Sequence, residues 1–147
     1  MKILFAASEA VPYVKTGGLG DVAYALPCEL AGRNDMEVCV ILPYYKSIKD
    51  NMDAGIEYVM HFDMPLAWRN TYVGIFKARN EEKNITYYFI DNDYYFGNRG
   101  SIYGEYDDGE RFTFFSKAIL ECIQHIGFYP DIIHCNDWQT ALVPLYY

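Results

Sequence analysis

The first 43 residues contain the pattern that most restricts the fold. KILFAAS at 2–8 is a continuous apolar run, and EVCVILP at 37–43 is a second one. Runs of this kind are typical of strands that are covered on both faces of a parallel sheet. Between them lie a loop with three glycines in four positions (17–20) and a segment with helical spacing at 20–33. The order strand, glycine loop, helix, strand predicts a βαβ unit.

Two helices are predicted from apolar spacing. In the first, over 20–33, the expected buried face consists of Val22, Ala25, Leu26 and Leu30, and Pro27 is expected to kink or divide the helix. The second covers 110–128, buries one face and ends at Gly127. Its expected buried residues are Phe112, Phe115, Ile119, Cys122, Ile123 and Ile126. A further short buried strand is predicted at 130–137, followed by the start of another helix.

The middle of the chain has a different pattern. EYVMHFDMPL at 57–66, TYVGIFKAR at 71–79 and ITYYFIDN at 85–92 are rich in β-forming residues and have only short breaks between them. They predict an antiparallel meander beside the parallel sheet. A long glycine- and tyrosine-rich loop at 93–109 follows, and loops of that length are often functional. We therefore expect an α/β fold: a Rossmann-like, mostly parallel sheet with helices on both faces and an inserted antiparallel segment.

Composition excludes several classes of protein. The chain has 147 residues, a net charge of −8 and no basic stripe, so nucleic acid is not an expected partner. No apolar run approaches the roughly 18 residues of a membrane span, and no membrane partner is expected. The four cysteines form no C-x-x-C pair and lie in apolar segments, which favours reduced thiols and a cytoplasmic location. The last predicted helix has barely begun at residue 147, so we expect the front part of a longer protein.

The glycine loop predicts an anion site. Gly17 and Gly18 allow backbone N–H groups to approach a ligand closely, and the start of the helix adds a partial positive charge. Lys15 adds a full charge. The loop follows the carboxyl end of the first strand, where doubly wound sheets bind ligands. These features favour a phosphate or diphosphate site, and the alternative is a tight turn with a surface lysine. The sequence fits neither the P-loop nor the G-x-G-x-x-G pattern.

Three blocks carry a resemblance to a known family. KILFAASEAVPYVKTGGLGDVAYALP at 2–27 closely resembles the N-terminus of bacterial glycogen synthases and plant starch synthases, whose hallmark is the Lys-Thr-Gly-Gly-Leu segment. YDDGERF at 106–112 resembles their D-N-x-x-R-F block, and DIIHCNDWQTALVP at 131–144 resembles their block around Asp-Trp. The blocks occur in the family's order and span nearly the whole chain.

The resemblance implies a fold and an activity. Residues 1–147 would be most of the N-terminal, acceptor-side domain of a two-domain GT-B glycosyltransferase whose C-terminal nucleotide-binding domain is absent from this chain. The full-length enzyme would transfer glucose from ADP-glucose to the non-reducing end of glycogen or another α-1,4-glucan, with retention and without a metal or cofactor. This piece alone is expected to be inactive. The alternatives are a non-catalytic Rossmann-like nucleotide- or glucan-binding module and an acidic interaction domain.

The resemblance also implies roles for individual residues. Asp107 and Asn136 are the candidate catalytic residues, although Asp108 stands where the family usually has Asn and Asn136 where many relatives have His. Asn136 cannot titrate, so we expect it to position the sugar. The candidate substrate-binding residues are Glu9, Lys15, Thr16, Gly17, Gly18 and Asp21; for Asp21, the preference of the first helical turn for acids is an equal alternative.

Several conspicuous residues have structural explanations instead. We expect His134 and Trp138 to be core residues, although Trp138 has the alternative role of a sugar platform. Asp137 is expected to cap the helix that begins at Trp138, and Arg111 is expected to be structural. The Asp-Asn-Asp sequence at 91–93 matches a metal motif of another glycosyltransferase fold, but we interpret it as an ordinary turn at the end of a strand.

Overall fold

The computed structural model describes residues 1–51 and 55–147, which form a single mixed sheet flanked by helices. The strands are β1 Lys2–Ala6, β2 Glu37–Pro43, β3 Glu57–Leu66, β4 Arg69–Asn80, β5 Ile85–Asp91 and β6 Ile132–Cys135. The helices are α1 Gly18–Ala31, α2 Lys46–Lys49, α3 Asp108–Ile126 and α4 Val143–Tyr146. A π-helical turn covers Asp93–Gly97, and a 3-10 turn covers Trp138–Thr140.

The sheet has the order β3-β4-β5-β2-β1-β6. Strand β1 pairs in parallel with β2 on one side and with β6 on the other, so that Leu4 lies opposite Cys39 and Ile133. Strand β2 also pairs in parallel with β5. The predicted Rossmann-like, mostly parallel α/β sheet is therefore confirmed.

The antiparallel insertion is confirmed as well, and it is continuous with the parallel sheet. Strands β3 and β4 form an antiparallel hairpin, and β4 pairs antiparallel with β5. Because β5 also pairs with β2, the meander extends the same sheet rather than standing beside it. The side chains of β5 are accordingly buried on one face and buried or half-buried on the other, which agrees with its nearly continuous apolar sequence.

The predicted buried face of α1 is wrong. Val22 is 51% exposed and Leu26 is 36% exposed. The buried residues are instead Gly20, Ala23, Pro27 and Ala31. Helix α1 has two rows of residues at helical spacing, a row of larger apolar residues with Val22 and Leu26 and a row of small residues with Ala23 and Ala31. Periodicity alone does not decide which row faces the sheet. The row of small residues packs inward and lets the helix backbone approach the strands. The helix also continues through Pro27, so this proline does not divide it.

Helix α3 buries most of the face that was predicted for it, whereas strand β6 is less buried than predicted. Phe112, Phe115, Ile119 and Cys122 are buried as expected, whereas Ile123 and Ile126 are only half-buried. The helix ends at Gly127, whose φ of +65° is a left-handed conformation that suits glycine. Strand β6, by contrast, is the edge of the sheet in the described residues and is only partly covered. The prediction of a buried strand there is wrong, because an apolar sequence does not show whether a strand has neighbours on both sides.

Two further observations bear on the class of protein. All four cysteines are free; Cys39 and Cys122 are buried, while Cys28 and Cys135 are half-buried. Among residues 1–51 and 55–147, no helix has the length and apolar character that crossing a bilayer requires.

The connections of β1 indicate where a ligand crevice is expected, at the carboxyl ends of the strands. From β1 the chain passes through α1 to β2 on one side, and it returns through α3 to β6 on the other side. Because parallel crossovers are right-handed, the two helices cover opposite faces of the sheet. Ligands of such folds bind where the connections diverge, outside the carboxyl ends of the strands. In this chain that point lies between the ends of β1 and β6.

Candidate functional site

Glu9 organises the loop that follows β1. Its carboxyl group is 3% exposed and accepts hydrogen bonds from the backbone N–H and the hydroxyl of Thr16 and from the backbone N–H of Gly17, the last at 3.3 Å. A buried carboxylate is costly unless donors surround it. The loop from 10 to 17 therefore folds back over Glu9 and delivers the chain to the start of α1. The sequence placed Glu9 in this loop, and the structure shows what it contacts.

Gly17 and Gly18 border open space. A Cβ atom built on either residue would meet no described atom within 4 Å. Gly20 differs, because its added Cβ would lie 3.1 Å from the Cβ and Cγ of Lys15. Packing of the chain against itself thus favours glycine at position 20, whereas at 17 and 18 the described residues impose no such preference.

The first turn of α1 offers N–H groups to a ligand. Gly17 is the N-cap and has no side chain with which to accept a hydrogen bond. The N–H groups of the first helical turn have no partner within an α-helix, and none of the described side chains caps them. The N–H groups of Thr16 and Gly17, however, are directed at Glu9. Among the described residues, the N–H groups that remain unpaired for an anion are therefore those of Gly18 and the residues after it.

Lys15, in the loop that precedes α1, pairs with Asp21. Its Nζ is 2.8 and 2.7 Å from the two carboxylate oxygens, and the two side chains are 47% and 59% exposed. An exposed pair of this kind contributes little to stability, typically about 0–1 kcal/mol. The pair therefore holds a cation near the helix start without burying it.

On the other side of the crevice, Asn136 joins β1 to β6. Its Nδ2 donates to the carbonyl oxygens of Ala6 at 3.0 Å and His134 at 3.2 Å, and its backbone N–H donates to Ala6 at 3.1 Å. Thr140 donates its hydroxyl proton to the carbonyl oxygen of Asn136 at 2.9 Å. Both protons of the amide are used within the protein, so its Oδ1 is the atom that remains for a ligand.

The residues that follow Asn136 turn sharply. Asp137 has a φ of +62° and a ψ of −177°, a conformation rarely adopted by residues other than glycine, and its carboxylate accepts a hydrogen bond from the N–H of Trp138 at 2.7 Å. The predicted cap is thus present, on a 3-10 turn. Trp138 is 50% exposed and rests edge-on against Phe112, so its assignment to the core is wrong. His134 is half-buried and packs against Phe5.

The acids of the 106–112 block are engaged in ion pairs. Both oxygens of Asp107 accept from Arg99, at 2.6 and 3.3 Å, and the side chain of Asp107 is only 8% exposed. Asp108 lies 2.5 Å from Arg111. The Arg111 side chain is completely buried and also donates to backbone carbonyls of the preceding loop, which agrees with a structural role. In this structure Asp107 is therefore a partner of Arg99, and its carboxylate is not free.

The Asp-Asn-Asp sequence has a structural explanation. Lys49 Nζ lies 2.6 Å from Asp91 and 2.7 Å from Asp93. Asn92 caps the π-helical turn by accepting from the N–H of Tyr95 at 3.0 Å. Burial raises the pKa of Asp91, and the hydrogen bond from Lys49 opposes that change. In the described part of the chain, no three His, Cys, Asp or Glu side chains are grouped as a metal site would require.

Asn136 and the glycine loop both follow the carboxyl ends of adjacent strands, β6 and β1, and the structure adds two residues that the sequence did not indicate. Ser8 and Tyr103 contact each other at 2.6 Å between their hydroxyl oxygens, and the Tyr103 hydroxyl donates to Glu9 at 3.2 Å. Tyr103 lies 94 positions from Glu9, in the long glycine- and tyrosine-rich loop at 93–109, where the sequence indicated no individual functional residue. No local pattern identifies such a contact.

Comparison with known proteins agrees with these blocks. A family model described as the starch synthase catalytic domain matches residues 2–147. A glycogen synthase from Bacillus cereus strain Q1 is 54% identical over 143 residues, which are 97% of this chain and 29% of that protein. A glycogen synthase from Clostridium botulinum strain Alaska E43 is 48% identical over 145 residues, which are 99% of this chain and 30% of the relative.

A solved structure has the same fold. The catalytic domain of starch synthase IV from Arabidopsis thaliana, bound to ADP and acarbose, superposes with a TM-score of 0.84 at 36% identity. The match covers 99% of this chain and 29% of that one. The chain thus spans less than a third of the length of these relatives. It belongs to the starch synthase catalytic domain family.

Proposed function

We propose that these residues form the N-terminal, acceptor-side domain of a longer two-domain glycosyltransferase. The full-length enzyme would transfer glucose from ADP-glucose to the non-reducing end of an α-1,4-glucan such as glycogen, with retention of configuration. Membership in the family supports the glucosyltransferase class. The ADP and acarbose bound to the Arabidopsis relative support a nucleotide-sugar donor and a glucan acceptor.

The observation that carries the proposal is the open space beside Gly17 and Gly18. Nothing in the described residues occupies the room that a side chain would take there. We infer that this room is used by a group that approaches from outside the fold. The adjacent N–H groups of the first turn of α1 and the exposed charge of Lys15 suit a phosphate. The diphosphate of ADP-glucose is such a group.

We propose that Lys15 contacts the donor phosphates and that Asp21 holds Lys15 in reach of them. Gly17, Gly18 and the backbone beyond them would accommodate the donor. Glu9 and Thr16 would act by shaping the loop, since the contacts of the Glu9 carboxylate are all within the protein.

On the opposite side of the crevice, the proposal assigns sugar contacts to Asn136 and Trp138. The free Oδ1 of Asn136 can accept a hydrogen bond from a sugar hydroxyl, and the half-exposed ring of Trp138 offers an apolar face to a pyranose. Asp107 would support the site by fixing Arg99. It would contact the sugar itself only if ligand binding released that pair.

The central experiment compares the 147-residue chain with the full-length protein. Transfer of labelled glucose from ADP-glucose to glycogen is measured for both, with UDP-glucose in parallel. We expect transfer by the full-length protein, with ADP-glucose preferred, and none by the chain alone. The reason is that an open crevice lacks the second wall that excludes water from the reacting glucosyl group.

Two outcomes would contradict the proposal. A full-length protein that binds glucan but transfers no glucose from either donor would favour a non-catalytic binding module. Turnover by the 147-residue chain at the rate of the full-length protein would contradict the need for a second domain.

A second prediction concerns Lys15. In the full-length protein, Lys15→Gln removes one charge-assisted contact with the donor, so the KM for ADP-glucose should rise roughly tenfold. The melting temperature should change little because the Lys15–Asp21 pair is exposed. Lys46→Gln is the matched control: Lys46 forms a similarly exposed pair with Asp50 at 2.6 Å, outside the glycine loop. A KM unchanged in Lys15→Gln, or raised equally in both variants, would leave Lys15 without a role in donor binding.

A third prediction concerns Asn136. Asn136→Ala removes the side-chain hydrogen bonds to Ala6 of β1 and to His134 of β6, and it should lower the free energy of unfolding by about 1–3 kcal/mol, in addition to lowering kcat. Asn136→His should retain part of the activity, with a new limb in the pH–rate profile near ~6.5. Asn70→Ala, at an exposed position of β4, serves as the stability control. Wild-type stability together with full activity in Asn136→Ala would remove this residue from both roles.

A further inference from the structure

The loop from Asn98 to Asp107 is held in one arrangement from both sides of Tyr103. The buried guanidinium of Arg111 donates to the carbonyl oxygens of Ser101 and Ile102, at 3.4 and 3.2 Å. On the other side, the residue after Tyr103 donates its backbone N–H to Asp108 at 2.7 Å. These bonds fix the backbone around Tyr103 and therefore the position of its side chain.

The Tyr103 side chain contacts Ser8 and Glu9, which follow β1 in the chain. The Tyr103 hydroxyl lies 2.6 Å from Ser8 Oγ and 3.2 Å from the Glu9 carboxylate. A phenol has one proton, and the carboxylate can only accept. Tyr103 therefore donates to Glu9 and accepts from Ser8, which gives the hydrogen-bond chain Ser8, Tyr103, Glu9 a single direction. Burial raises the pKa of Tyr103, which further favours the protonated, donating form.

The other contacts of Glu9 come from the glycine loop. Thr16 and Gly17 supply its remaining donors. Within residues 1–51 and 55–147, no Lys or Arg lies within ion-pair distance of Glu9. The buried carboxylate is thus stabilised by neutral donors alone, and the Tyr103 hydroxyl is the donor that comes from a distant part of the chain.

We propose that Tyr103 is a positioning residue for the glycine loop. Through Glu9 it fixes the backbone of Thr16 and Gly17, and it thereby couples the 98–107 loop to the site proposed for the donor phosphates. The inference rests on the proposed function, because it assigns to that site a dependence on a second loop. If ADP-glucose binds only when the glycine loop is ordered, its affinity falls when the loop is disordered in part of the protein molecules. The rate of transfer from the bound state is unaffected.

The test uses Tyr103→Phe in the full-length protein, a change that removes one oxygen and keeps the ring. We expect the KM for ADP-glucose to rise roughly three- to tenfold with kcat nearly unchanged. Amide hydrogen exchange at Thr16 and Gly17 should become faster, whether or not substrate is present. Combining Tyr103→Phe with Glu9→Gln should raise the KM by less than the product of the two single effects, because both changes break the same connection.

The control is Tyr106→Phe, since Tyr106 lies in the same loop, is 91% exposed and has no contact with Glu9 among those described. It should change neither the KM nor the exchange at Thr16 and Gly17. Unchanged exchange in Tyr103→Phe would overturn the inference whatever the activity. An unchanged KM in an otherwise active protein would also overturn it. Faster exchange in a protein that transfers no glucose would leave the loop coupling intact and refute the proposed function instead.

Discussion

The buried carboxylate of Glu9 is the interaction on which the crevice depends. It lies directly beyond β1, at the centre of the parallel part of the sheet, and is 3% exposed. Its cost of burial is offset by donors that the chain must bring to it: the backbone at Thr16 and Gly17 and the hydroxyl of Tyr103. Satisfying Glu9 therefore sets the path of the loop, the start of α1 and the docking of the 98–107 loop at once.

The polar groups of these loops fall into two sets: those that are paired within the protein and those that remain accessible to a ligand. The charges around the 98–107 loop neutralise one another: Asp107 with Arg99, and Asp108 with Arg111. They stabilise loops and leave little charge for a ligand. The first-turn N–H groups of α1 and the Oδ1 of Asn136 have no side-chain partner among the described residues, and the amino group of Lys15 is exposed in its pair with Asp21. These are a cation, dipoles and an acceptor, which together suit a phosphorylated sugar.

How much of this the sequence predicts depends on the range of each interaction. Buried parallel strands, the βαβ unit, the antiparallel insertion and the end of α3 at Gly127 were predictable because their signals are local. The inward face of α1 was not, because Val22 and Leu26 are as periodic as the small residues that pack on the sheet. The exposed edge at β6 and the half-exposed Trp138 depend on neighbours that a local pattern does not reveal. The same is true of the contact between Tyr103 and Glu9.

The most direct test asks whether glycine at position 18 is required for folding or for binding of the ligand. This glycine is the first residue of α1, and a methyl group there meets no described atom within 4 Å. Alanine favours a helix over glycine by roughly 1 kcal/mol in helix interiors. In the full-length protein, Gly18→Ala should therefore leave the melting temperature equal or higher while weakening ADP-glucose binding, measured by calorimetry, at least tenfold. A lower melting temperature with unchanged donor affinity would contradict the claim that the open space at this loop belongs to the ligand.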